Sequence, residues 1–150
     1  MNRYLIVADD FTGANDTGVQ LRRRGVETEV VLSENLISDG TCSYVVDTET
    51  RGMTGEEAYS VVKKMCSDIK FDDYKYIIKK VDSTLRGNVA EEIKATDETY
   101  GSEIIIFAPA LPDLGRTTVN GVHCLKGVPI TQTELAKDPK KPVKEDNIKK

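Results

Sequence analysis

No apolar run in this 150-residue chain approaches the roughly 20 residues a membrane-spanning helix needs. No basic n-region followed by an apolar stretch and small residues opens it: Tyr4–Ala8 is too short for the core of a signal peptide and runs into Asp9 and Asp10. The expectation is a cytoplasmic protein with no membrane partner. There is no cationic excess either. A net charge of −4 argues against nucleic acid, whose phosphates demand surplus Lys and Arg. The three cysteines, Cys42, Cys66 and Cys124, are odd in number and form neither a CxxC pair nor a zinc spacing, so reduced, packed thiols are expected and no metal site. The single histidine, His123, leaves Ser83 without any other imidazole as base. His123 itself reads as an ordinary strand residue. Phosphate loops are missing as well. Gly13 and Gly18 have the Walker A glycine separation, but Val19-Gln20 stands where Lys-Ser/Thr would be, and G-x-G-x-x-G is absent.

What is present is a soluble globular composition, 39% hydrophobic and 31% charged, long enough for one domain with a core. Short apolar runs at Tyr4–Ala8, Thr28–Leu32, Ser43–Val46, Tyr76–Val81 and Ile104–Ala108 read as strands. Helical stretches separate them, at 14–24, after Thr54, and at 89–100. Thr54 and Glu57 form a capping-box pattern. Behind it Ala58, Val61, Val62, Met65 and Ile69 recur at helical spacing. Residues 35–41 read as a loop. The Ile104–Ala108 run, nearly all apolar, is expected to be a central strand covered on both faces. Strand–helix alternation predicts an α/β fold with a doubly wound, mainly parallel, Rossmann-like sheet. Asn120-Gly121 between two β-branched runs predicts a C-terminal β-hairpin extension. Thr131–Lys137 reads as a short helix. No internal repeat is visible. The domain is expected to span 1–137. The lysine-rich 138–150 has only Val143 and Ile148 as large apolar residues and is expected to build no core.

Polar clusters follow the apolar runs. In an open α/β sheet, ligands bind beyond the carboxyl ends of the strands. Asp9-Asp10-Phe11-Thr12-Gly13 offers a carboxylate pair that can accept from hydroxyls or coordinate Mg²⁺, with a helix start that favours anions. The bland alternative is that Asp10 or Thr12 caps the helix. Asp82-Ser83-Thr84-Leu85-Arg86-Gly87 adds a guanidinium fork that matches a carboxylate. Its alternative is a turn with Arg86 in a structural ion pair. Asp47 and Arg51 form a shorter cluster, and Arg116 and Thr117 with Asn120-Gly121 another. Together they describe a site for a small, anionic, hydroxyl-rich molecule.

The segments ADDFTGANDTG, KKVDSTLRGNV and APALPDLGRTTVNGVHCLKGVPITQTELAKDPKKPV, in that order, resemble the four-carbon acid sugar kinase family, long catalogued as a domain of unknown function. The resemblance runs from Asp9 to Val143. It implies a two-domain, ATP-dependent kinase of small acid sugars such as threonate, erythronate or 3-oxo-tetronate. The N-terminal domain would bind the sugar, and a C-terminal domain, not matched here, would bring ATP and Mg. By position, Asp9, Asp10, Thr12 and Gly13 would line the sugar pocket. Asp82, Ser83, Thr84 and Arg86 would form its other wall, with Arg116 and Thr117 contributing and Asp47 and Arg51 matching less securely. Arg86, with Arg51 or Arg116, is expected to hold the substrate carboxylate. Asp9, Asp10 and Asp82 would hold hydroxyls, with Asp10 and Asp82 the catalytic candidates. A non-catalytic acid-sugar binding module and a Mg-dependent aspartyl-phosphate phosphatase are the alternatives. The expected partners are the acid sugar and ATP, with a homodimer left open.

Overall fold

A computed structural model describes residues 3–32, 37 and 41–149; most of the 35–41 loop lies outside the described residues. The first of two compact units comprises Met1–Lys80 with Asn88–Glu103. Its strands β1 (Tyr4–Ala8), β2 (Thr28–Val31), β3 (Ser43–Asp47) and β4 (Tyr76–Lys80) form one parallel sheet in the order β2-β3-β1-β4. β1 sits between β3 and β4, with Ala8 beside Asp47 and Lys80. The period of two along β1 sorts its side chains onto two faces. Ile6 and Ala8 pack with Val45, Ala14 and Leu21 under helix α1 (Phe11–Arg23). Val7 packs with Val62, Cys66 and Ala95 under α2 (Gly55–Ser67) and α3 (Val89–Tyr100). Burial on both faces explains why these strands read as uninterrupted apolar runs.

The helices obey local chemistry. α1 begins at Phe11, three residues before the expected start, because the Asp10 carboxylate accepts from Gly13 N at 3.1 Å and caps the first turn. Both halves of the Thr54–Glu57 capping box form. α3 stops at Gly101, whose φ of 74° is left-handed.

The second unit comprises Val81–Gly87 and Ile104–Lys150. Strands β5 (Arg116–Val119), β6 (Val122–Leu125) and β7 (Val128–Pro129) form an antiparallel sheet. The first turn is Asn120-Gly121, with φ of 50° and 83°, as a tight hairpin requires. Lys126-Gly127, at 51° and 82°, makes a second such turn. In place of the expected helix, Ile130–Gln132 and Glu134–Lys137 are two short 3₁₀ turns. The lysine-rich end contributes more than expected. Val143 is buried, and Ile148 N and His123 N donate to the carbonyls of Gly121 and Asp146.

Ile104–Ala108 is a correction. It lies in neither sheet, and Ile104, Ile105 and Ile106 are 80%, 52% and 87% exposed. Strand propensity records how well a residue fits a pleated, half-buried surface. Among the described residues no strand offers this run a ladder.

Candidate functional site

β1 and β3 are neighbours, yet the helices that follow them lie on opposite faces of the sheet. Such a switch point opens a crevice at the strand ends. The segments on its two sides are Asp9–Phe11 and Thr48–Thr54. Arg51 spans it. Its Nε and Nη2 donate to Asp9 Oδ2 and Oδ1 at 2.7 and 2.9 Å. Its Nη1 and Nη2 donate to Asp10 Oδ2 and Oδ1, both at 2.7 Å. One planar guanidinium thus meets two carboxylates bidentately, which Lys could not do. Adjacent acids at a strand tip would otherwise repel. Arg51 between them offsets that repulsion.

Lys80, at the end of β4, places Nζ 4.0 Å from Asp10 Oδ1. Gly13 makes room for it: a Cβ there would collide with Lys80 Nζ and Asp10 Oδ1. Sequence reasoning passed over Lys80. Its signal was a pair of lysines closing an apolar strand. Thr12, by contrast, is exposed in the first turn of α1.

Asp47 ends β3 almost fully buried. Oδ1 accepts from Glu49 N at 3.1 Å, while Oδ2 is buried with no hydrogen-bond partner. Burial, reinforced by the charges of Glu49 and Asp10, pushes its carboxyl up to about 6, against the pull of the Glu49 N–H. Glu49 has φ of 51° and accepts from Phe11 N at 3.0 Å, a second tie across the crevice.

The remaining predicted residues lie in the second unit. Asp82 gathers its own loop: Thr84 Oγ1 donates to its carboxylate, and Arg86 Nε does so at 2.8 Å. Arg86 Nη1 stands 3.7 Å from Asp138. His123 is fully buried between Thr118 Oγ1 and the Ser83 carbonyl, each 2.8 Å from a ring nitrogen. A carbonyl only accepts, so Nε2 carries the proton. His123 therefore addresses the Ser83 backbone rather than its hydroxyl, and it is a clamp on this loop where a plain strand residue was expected. Arg116 Nε is buried without a hydrogen-bond partner. Arg116 and Thr117 are successive strand residues and leave opposite faces of the hairpin.

Residues 4–150 match the sugar-binding N-terminal domain family. The chain belongs to that family. The sugar-binding domain is 38% identical to the D-threonate kinase of Salmonella typhimurium over 97% of its own length and 35% of the relative's. It is 36% identical to the D-erythronate kinase of Heliobacterium modesticaldum, covering 95% of this chain and 34% of the relative. It thus spans about a third of the curated relatives it matches. A crystal structure from Bordetella bronchiseptica, a domain of unknown function with bound citrate in a domain-swapped dimer, superposes with a TM-score of 0.90. The identity is 35%, over 98% of this chain and 39% of that one.

Among the described residues, the two glycines with Walker A separation form no phosphate cradle. Gly13 and Gly18 both lie inside α1, and a Cβ on Gly18 would stand 2.9 Å from Val30. Those glycines serve close packing rather than a phosphate cradle.

Proposed function

We propose that this domain binds a four-carbon acid sugar of the threonate, erythronate or 3-oxo-tetronate type, as the substrate-holding part of a kinase. ATP and Mg²⁺ would bind outside the residues described here. The observation that carries the proposal is the Asp9–Asp10–Arg51 cluster at the strand ends. Its four carboxylate oxygens face Arg51 as hydrogen-bond acceptors. Vicinal hydroxyls are matching donors. Support comes from the relatives named as D-threonate and D-erythronate kinases. The Bordetella structure adds to it by holding citrate, itself a hydroxy acid.

In this reading Asp9 and Asp10 accept substrate hydroxyls, Gly13 leaves the room that brings Lys80 beside Asp10, and Asp47 lies behind them. Lys80 supplies positive charge, since Arg51 commits four N–H bonds to Asp9 and Asp10. Thr12, Asp82, Ser83, Thr84, Arg86, Arg116 and Thr117 stand as substrate-binding candidates on the family resemblance, Arg86 for the sugar carboxylate. Asp10 and Asp82 are the candidates for orienting the reacting hydroxyl. Phosphoryl transfer depends chiefly on positioning and charge neutralisation, so neither needs a strongly shifted proton affinity. An aspartyl-phosphate phosphatase fits less well, because both oxygens of Asp9 and of Asp10 accept from Arg51 and are poor nucleophiles.

The test is calorimetric titration of this chain with D-threonate, D-erythronate and 3-oxo-tetronate, in wild type and Asp10→Asn. Asn still caps a helix well, so α1 should persist. One acid should bind the wild type, and the variant should lose about tenfold in affinity. No heat from any acid, or equal affinity in the variant, would sink the assignment.

A further inference from the structure

A buried ionic chain runs beneath the Arg51 clamp. Lys79 Nζ and Glu92 Oε2 are 2.7 Å apart, with side chains only 7% and 2% exposed. Glu92 Oε1 accepts from Thr50 Oγ1 at 2.9 Å, and Thr50 Oγ1 meets Thr48 Oγ1 at 2.7 Å. Thr48 Oγ1 donates to the Ala8 carbonyl at 2.9 Å. Lys79 Nζ also donates to the Lys80 carbonyl at 2.9 Å. The pair therefore ties the turn after β3, through Thr50, to the end of β4, through the Lys80 carbonyl. Asn88 Nδ2, one turn before Glu92, donates to the Thr50 carbonyl at 2.9 Å. Thr50 is pinned by side chain and backbone to the start of α3.

Stability alone does not call for this arrangement. Desolvating two charges costs several kcal/mol, and a well-packed apolar pair is often as stable or more so. What the ions do here is directional. The residue before Thr50, Glu49, holds a left-handed backbone that non-glycine residues adopt only when their surroundings enforce it. The residue after it is Arg51, whose N donates to the Asp9 carbonyl at 3.1 Å.

We propose that Glu92 is a positioning residue: through Thr50 it fixes the turn that lays the Arg51 guanidinium across Asp9 and Asp10. Its consequence for sugar binding rests on the function proposed above. The clamp itself does not, which lets the two be tested apart. Glu92→Gln keeps an acceptor for Thr50 but removes the charge facing Lys79. Thr50→Val keeps shape and the ion pair but cuts the link.

The readout is hydrogen exchange at Arg51 Nε–H by NMR, assigned with Arg51→Lys. Backbone amides of Val7 and Val45 serve as the control for an intact sheet. Wild type should show a protected Nε–H. Both variants should lose protection by roughly tenfold or more while the sheet amides stay protected. Unchanged Nε–H protection in either folded variant would overturn the proposal and leave the pair a structural one. If Glu92→Gln does not fold, Thr50→Val carries the test. Among acids that bind wild type, affinity should fall roughly tenfold in both variants. A wild type that binds none refutes the sugar-binding reading, and the exchange data still decide the role of Glu92.

Discussion

Asp47 carries one oxygen that accepts from Glu49 N and another that accepts nothing. Ionising it in place is costly, hence the rise from 3.8 to about 6. The sign of the linkage follows. Below about pH 3.8 the group is protonated folded or unfolded, and its stabilising contribution is fully present. As pH rises through 6, the unfolded carboxyl ionises freely while the folded one resists, and that contribution is lost. A shift of this size corresponds to about 2–3 kcal/mol. Urea unfolding of wild type and Asp47→Asn at pH 4 and pH 7.5 measures it. Wild type should lose about 2–3 kcal/mol more than the variant over that range, and parallel pH dependences would show that Asp47 ionises normally. Asp10 shows how one residue answers two readings at once. It caps α1 through Gly13 N, as the bland interpretation had it, and it also receives Arg51. Sequence could place a carboxylate there but could not pair it across 41 residues of chain.

Among the elements, α2 is the one whose local signals are most complete. Thr54 Oγ1 accepts from Glu57 N, and the Glu57 carboxylate accepts from Thr54 N. The helix buries Ala58, Val62 and Cys66 against the sheet. Since α2 follows directly on the Thr48–Met53 segment, its cap also limits how far that segment can move. Thr54→Ala should cost about 1 kcal/mol in chemical unfolding. A loss under a few tenths would mean that the cap is dispensable. The Asn120-Gly121 hairpin was equally legible, because a turn needing two positive φ values selects its residues locally. The second turn, Lys126-Gly127, obeys the same backbone rule. Lysine at its first position carries no such signature, and β7 is only two residues long, so local sequence does not announce it. The start of α1 is ambiguous in sequence for a related reason. A cap is a side-chain bond, and both Asp10 and Thr12 could have made it.

At the scale of the whole molecule, two units each carry a share of the predicted site residues. Asp9, Asp10, Asp47 and Arg51 belong to the first, and Asp82–Arg86, Arg116 and Thr117 to the second. The exposed isoleucines of 104–106 belong to the second unit. A central strand would lose several kcal/mol on replacement of two such side chains. Side chains already standing in water should lose little. Ile104→Thr with Ile106→Thr should therefore change the unfolding free energy of this chain by no more than about 0.5 kcal/mol. A loss of several kcal/mol would restore the run to a packed core.

The α/β class, most strand and helix positions, the capping box and the first hairpin were determined by the sequence alone, because each depends on residues a few positions apart. So were the polar residue types that follow the strands, since they can be read directly from the chain. Tertiary structure decided which of them meet. Pairing Arg51 with both Asp9 and Asp10, bringing Lys80 over Gly13, stranding an oxygen of Asp47 and running Glu92 beneath Thr50 all depend on strand order and on which face each helix covers. Periodicity carries no information about either. It likewise cannot say whether an apolar run finds a strand to pair with, and so it assigned Ile104–Ala108 to a sheet that does not contain it.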